Sequence, residues 1–168
     1  DYAKANPGKL RVANSGHAGV WHIGAIAMEK AAGVKFSHVP YKGTGPSIPA
    51  ILGGHLDAIV AGPGDTLHLV KGGQLKIIGV AAQERSKFVP EAQTFNELGM
   101  KVDILSFYTW VGPKGVPKDR IKILHDAFKK AMETKEFAEY CDNQGITLSI
   151  KGPEEFGKYL EQEDNKYK

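Results

Sequence analysis

Leu10-Arg11-Val12-Ala13 is a short, largely apolar run; Asn14-Ser15-Gly16-His17-Ala18-Gly19 follows it, and then a helical stretch from Val20 to Ala32. A strand, a tight loop of small residues and a helix make up the first half of a βα unit. The same order recurs downstream. A strand at Phe36–Val39 leads through Tyr41-Lys42-Gly43-Thr44-Gly45-Pro46 into a helix at Pro46–Leu52. A strand at Ala58–Ala61 leads through Gly62-Pro63-Gly64 into a helix at Asp65–Lys71, and a fourth strand is expected at Leu75–Ala81. This alternation predicts an α/β fold, a mostly parallel sheet flanked by helices.

Outward from that core the pattern changes at both ends. Asp1 to Lys9 reads as the last turns of a helix halted by Asn6-Pro7-Gly8, because proline disfavours helical geometry in the residue before it. A helix that ends there is expected to begin earlier than Asp1. Val102–Val111, with Phe107, Tyr108 and Trp110, reads as a longer strand ending in Gly112-Pro113-Lys114-Gly115-Val116-Pro117. Beyond it Ile121, Leu124, Phe128 and Met132 fall on one face of an amphipathic helix that Pro117 opens at its first turn. A helix at Glu136–Asp142, a strand at Ile146–Ile150 and a last helix opened by Pro153, with Phe156, Tyr159 and Leu160 on one face, complete the chain. These terminal helices carry more apolar face than the first part is expected to cover, so the fragment is expected to self-associate through it.

Composition narrows the function. With 168 residues and 42% hydrophobic side chains, the chain buries one ordinary core. Its 22 basic and 19 acidic residues are dispersed, with no basic block to suggest nucleic acid. The single cysteine, Cys141, allows no internal disulfide and no thiolate metal cluster. No apolar run approaches the about 20 residues of a spanning helix, and residues 1–9 show no signal-peptide pattern.

Three βα loops are candidate ligand contacts. In the first, Ser15, Gly16, His17, Ala18, Gly19 and Val20 bring backbone N–H groups to a helix start, where an anion is favoured; the same residues also suit an ordinary turn and cap. In the second, Tyr41 and Thr44 offer hydroxyls, and Lys42 reads as a surface charge. In the third, Ala61 and Gly62 line the loop, and Asp65 reads as an N-cap. The glycines lack the dinucleotide and phosphate-loop spacings, so no nucleotide cofactor is expected. His17 and His22 are not spaced as metal ligands on one helical face, and no nucleophile elbow or zinc-protease motif is present.

Taken together, several stretches resemble the receptors of tripartite tricarboxylate transporters, the Bug or TctC-like family. They are Tyr2 to Leu10, Ser15-Gly16 with His22, His38-Val39-Pro40-Tyr41-Lys42-Gly43, Leu52-Gly53-Gly54-His55-Leu56-Asp57, Pro113-x-Gly115-x-Pro117 and Pro153-Glu154-Glu155-Phe156, in the family's order across nearly all of the chain. The resemblance implies a periplasmic-binding-protein-like (type II) architecture. Residues 1–9 would end a crossover helix, 10–106 form the second, ligand-binding lobe, 107–117 a hinge, and 118–168 the C-terminal helices of the first lobe, whose N-terminal half is absent. It implies a non-enzymatic receptor, periplasmic or a cell-surface lipoprotein whose leader is not in this chain, that hands a small carboxylate to membrane permease subunits. It also places His22 among the ligand-binding residues. The family commonly has hydroxyl residues after the first loop's glycine, where this chain has Gly19, Val20 and Trp21, which implies a ligand less polar than citrate. Where many members carry Asp after the third strand, this chain has Ala61-Gly62, which disfavours an amine-bearing ligand. Two other classes stay open on the residues alone: the effector-sensing domain of a transcription regulator, and an α/β enzyme acting on a small acid.

Overall fold

A computed structural model describes residues 1–104 and 106–167, which fall into two compact units, Asp1–Tyr108 and Thr109–Lys168. The first unit is built on three parallel strands: β1 (Arg11–Asn14), β2 (Ser37–Pro40) and β3 (Ala58–Ile59), in the order β2-β1-β3. Val12 pairs with His38 on one side and with Ala58 on the other, and Asn14 lies opposite Pro40. Because the strands run parallel, the loops that follow all three leave the same edge of the sheet.

One-turn α1 (Tyr2–Ala5) precedes β1 and stops at Asn6, and Gly8, with φ +70°, turns the chain so that its N–H donates to Lys35 O at 2.9 Å. Helix α2 (Val20–Ala32) connects β1 to β2 and lies on the sheet through its smallest residues. A Cβ added at Gly24 would stand 3.4 Å from Val60 and 3.7 Å from Ile104, and Ala25 is fully buried. Gly33, left-handed at φ +64°, ends the helix. A 3-10 turn (Gly45–Ser47) runs into α3 (Ile48–Leu52) before β3, and α4 (Pro63–Lys71) follows it. Phe95, Val102 and Ile104 form a buried cluster with Val20, Ala27, Met28, Ala81 and Met100 packed on it.

The Leu-Gly-Gly-His-Leu-Asp stretch does structural work here. Gly54, at φ +73°, turns the chain from α3 toward β3, and Asp57 then receives the Arg11 N–H at 2.7 Å and two guanidinium contacts at 3.0 and 2.7 Å. Arg11 also donates to Gly54 O at 3.1 Å, so one side chain fastens the turn and the strand pair together.

Several predicted elements differ. Leu75–Ala81 is not a strand: only Val80 bridges, to Thr94. Its backbone partners are divided, Val80 bonding to residues 93 and 95 and Ala81 O accepting from Ile104, so no single neighbour runs alongside to form a ladder. The described part of Val102–Val111 is irregular as well, with Tyr108 and Trp110 largely exposed; Leu105 lies outside the described residues. Ile146–Ile150 forms no strand, its first N–H turning back to Cys141 O at 2.8 Å. Asp65 is not the N-cap of α4. Pro63 opens that helix two residues earlier, where its missing N–H costs nothing, and Gly62 takes the cap position.

In the second unit, α5 (Lys118–Met132), α6 (Lys135–Asn143) and α7 (Pro153–Tyr167) occupy the expected places. Pro117 is the cap of α5 rather than its first residue. Thr134 caps α6 by accepting the Phe137 N–H at 3.3 Å, and Phe128 of α5 stacks on Trp110 at 4.2 Å.

Two stability predictions follow from these contacts. A Cβ at Gly79 would come within 2.7 Å of the Phe95 ring, so Gly79→Val is expected to lower unfolding free energy by about 1–3 kcal/mol, the usual cost of overpacking, as read by urea denaturation. Arg11 holds the Asp57 carboxyl down from 3.8 to about 2, chiefly through its side-chain hydrogen bond and then its backbone N–H. A depressed carboxylate stabilises the fold above its unfolded value and loses that contribution as pH falls through the folded one. Asp57→Asn is therefore expected to be less stable than wild type at neutral pH, with the difference closing between pH 3.8 and about 2. A difference that stays constant through that window would assign the clasp to something other than the ionised carboxylate.

Candidate functional site

The strand edge where the three loops emerge holds the sequence-predicted residues. After β1 the chain reverses into α2 within five residues, and two of them sit in the left-handed region: Gly16 at φ +99° and Ala18 at φ +58°. Glycine adopts such a φ without strain, whereas alanine does so at a cost. Gly16 N–H donates to Asn14 Oδ1 at 3.1 Å, an Asx turn, and Ala18 N–H donates to His22 Nδ1 at 3.1 Å. Gly19 N–H turns back to Gly16 O at 3.3 Å.

These bonds decide which donors remain. The sequence pattern offers the whole Ser15–Val20 backbone to an anion, yet Gly16, Ala18 and Gly19 spend their N–H groups inside the loop. Among the described residues, the N–H groups of Ser15, His17, Val20 and Trp21 have no protein acceptor. Val20 and Trp21 are the first residues of a 13-residue helix, where unsatisfied N–H groups and the helix dipole both favour negative charge.

The other two loops lie beside this one. Tyr41 N–H donates to Asn14 O at 3.0 Å, and a Cβ at Gly16 would stand 3.5 Å from Tyr41 O, so the first and second loops are neighbours. Thr44 is buried and built into its own turn, its carbonyl accepting both the N–H and the hydroxyl of Ser47 at 2.9 and 2.7 Å. In the third loop Gly62 meets the Trp21 ring: an added Cβ would come within 3.0 Å of Trp21 Cζ2. Ala61 and Gly62 are half-buried there, and Gly62 O accepts the Thr66 hydroxyl at 3.1 Å.

Three residues at the site escaped the sequence reading. Asn14, buried at the end of β1, holds the loop's first turn, and its Nδ2 has no acceptor among the described residues. The signal was available, since an Asn two residues before a glycine is an Asx-turn pattern. Glu29 and His38 were missed because they meet only in three dimensions. The His22 ring stands edge-to-face against His17, with centroids 5.5 Å apart, and against His38 at 5.0 Å. His38 Nε2 lies 3.4 Å from Glu29 Oε1, which also accepts the Phe36 N–H at 2.6 Å.

The electrostatics follow from this packing. Burial first, and then the neighbouring His38 and His17 rings, push His22 below the ordinary histidine value, against an opposing pull from Glu29. That agrees with its geometry, because a ring whose Nδ1 accepts an N–H carries its one proton on Nε2. Burial pushes Glu29 upward, but the Phe36 N–H, the His38 hydrogen bond and the charges of His38 and Lys35 outweigh it and leave the carboxyl below its usual range. Among the described residues no cluster of His, Cys, Asp or Glu is arranged to hold a metal ion.

The comparisons with known proteins agree with this architecture. A UPF0065 protein from the gbd 5' region of Cupriavidus necator is 38% identical over 138 residues, 82% of this chain and 42% of that protein. A TctC solute binding protein from Polaromonas superposes with a TM-score of 0.78 at 28% identity, over 99% of this chain and 57% of that one. R. palustris Rpa4515, solved with adipate, shares the fold, with a TM-score of 0.89 at 19% identity over 99% of this chain and 56% of that one. This chain thus spans roughly half the length of the proteins it matches. The model of the tripartite tricarboxylate transporter family receptor, TctC, matches residues 1–168, and the chain belongs to that family.

Proposed function

We propose that this chain is the ligand-binding part of an extracytoplasmic receptor that captures a small carboxylate and delivers it to the membrane permease of a tripartite tricarboxylate-type transporter, with no chemical step. The observation that carries this reading is the set of N–H donors on His17, Val20 and Trp21 around the start of α2, which with Ser15 N–H are left without a protein acceptor after Gly16, Ala18 and Gly19 have spent theirs inside the loop. A carboxylate matches them in charge and in hydrogen-bonding capacity. Tyr41 and the Ala61-Gly62 backbone would line the rest of the site.

The Trp21 ring, seated against Gly62, adds an apolar wall beside the donors. That supports a ligand with an apolar chain between or behind its carboxylates in preference to one as polar as citrate. Adipate, bound by the R. palustris fold neighbour, has this character. In the full receptor, residues 10–106 would form one lobe of the cleft and 118–168 part of the other, with 107–117 between them as a hinge. Closure would follow from the ligand binding the closed state better than the open one.

Val20 gives a direct test, because proline is tolerated at the first position of a helix while removing its N–H. Gly19 before it is already extended, at φ −70° and ψ 159°, as a residue preceding proline should be. In the full-length polypeptide, a thermal-shift screen of mono-, di- and tricarboxylates is expected to show stabilisation by one carboxylate class. Val20→Pro is expected to keep its helical circular dichroism and to bind that class about tenfold more weakly, the loss of one charge-assisted hydrogen bond. Full affinity in a folded Val20→Pro variant would remove α2 from the site.

A further inference from the structure

Among the described residues, Ala18 is the one non-glycine position with a positive φ. It lies between the donors at His17 and Val20, so the directions of those two N–H groups depend on how Ala18 is held. The holding group is the His22 imidazole, whose Nδ1 accepts the Ala18 N–H at 3.1 Å. That ring is itself fixed from behind. His17 and His38 stand edge-to-face against it, and His38 Nε2 lies 3.4 Å from Glu29 Oε1. Glu29 is seven residues, or two turns, from His22 on the same face of α2, and its buried carboxylate is fastened by the Phe36 N–H. A chain of contacts therefore runs from the second strand, through Glu29, His38 and His22, to the strained residue of the loop.

We propose that His22 is a positioning residue for the ligand loop: by accepting the Ala18 N–H it keeps Ala18 left-handed, and so aims the His17 and Val20 N–H groups at the bound carboxylate without touching the ligand itself. This inference rests on the carboxylate reading given above. Two features distinguish it from direct contact. The acceptor must be at the Nδ1 position, which Asn reproduces with its Oδ1 and which Gln, one bond longer, does not. The need for any acceptor should also fade once residue 18 is a glycine, which takes a left-handed φ without cost.

The test compares His22→Gln and His22→Asn in the full-length polypeptide, each with Ala18 and with Ala18→Gly, by calorimetric titration with adipate and by amide exchange at residue 18 without ligand. With Ala18 present, His22→Gln is expected to weaken adipate binding about tenfold and to speed exchange of the Ala18 N–H, while His22→Asn keeps most of both. In the Ala18→Gly background the His22→Gln effect on affinity should shrink to about twofold, the signature of two residues acting through one another. An equal loss in both backgrounds, or unchanged affinity in His22→Gln, overturns the proposal. If wild type binds no adipate, the carboxylate reading is what has failed for this probe, and the exchange of Ala18 alone decides the role of His22: unchanged exchange in His22→Gln overturns it.

Discussion

Gly24 and Ala25 let α2 lie against the sheet at a separation that a larger side chain would not permit, and the rest of the site depends on that seat. The space a Cβ would need at Gly24 is bounded by Val60 at 3.4 Å and Ile104 at 3.7 Å, so the helix is fixed against both the residue that follows β3 and the hydrophobic cluster. A helix held this close has to begin almost where β1 ends. The chain then has five residues in which to reverse, which is why the loop needs left-handed conformations and side-chain acceptors to hold them. The anion-favouring end of α2 is thus presented beside the second and third loops by packing several residues away.

The backbone N–H groups of the first loop divide between two roles. A glycine-rich loop at a helix start invites the view that all of its donors face the ligand. Here half of the Ser15–Val20 N–H groups stabilise the loop itself, through Asn14, His22 and Gly16 O. What remains is a small, directional set of donors on a stiff support. Pre-organisation of this kind reduces the ordering cost of binding, because the loop is already arranged before a ligand arrives.

The α/β class and the placing of the three loops were legible in the sequence because strand, loop and helix alternate with clear turn residues, and β1, β2, β3 and α2 fall where the pattern puts them to within one or two residues. The failures have a common cause. Leu75–Ala81, Val102–Val111 and Ile146–Ile150 have strand-like composition, but a strand exists only with a partner at its side, and partnership is a property of the fold. The space beside Gly79, for instance, is filled by the ring of Phe95, sixteen residues on, a contact that no local pattern announces. The Asp65 cap was displaced by Pro63, whose stronger local preference lies two residues upstream. At the site, the family resemblance singles out His22, whereas its packing against His38, and through it Glu29, joins residues on different elements and is visible only in the folded chain.

The contact between Trp21 and Gly62 has an optical consequence. The protein has two tryptophans, and they sit in unlike surroundings: Trp21 is half-buried at the second position of α2, beside the N–H groups left without a protein acceptor, and Trp110 is 73% exposed in the other unit. An indole in water emits at longer wavelength than one packed against protein, so the emission spectrum contains a solvent-exposed component and a shorter-wavelength component from Trp21. Occupancy of the loop should register in the second component, giving the chain an intrinsic fluorescent reporter that needs no added dye.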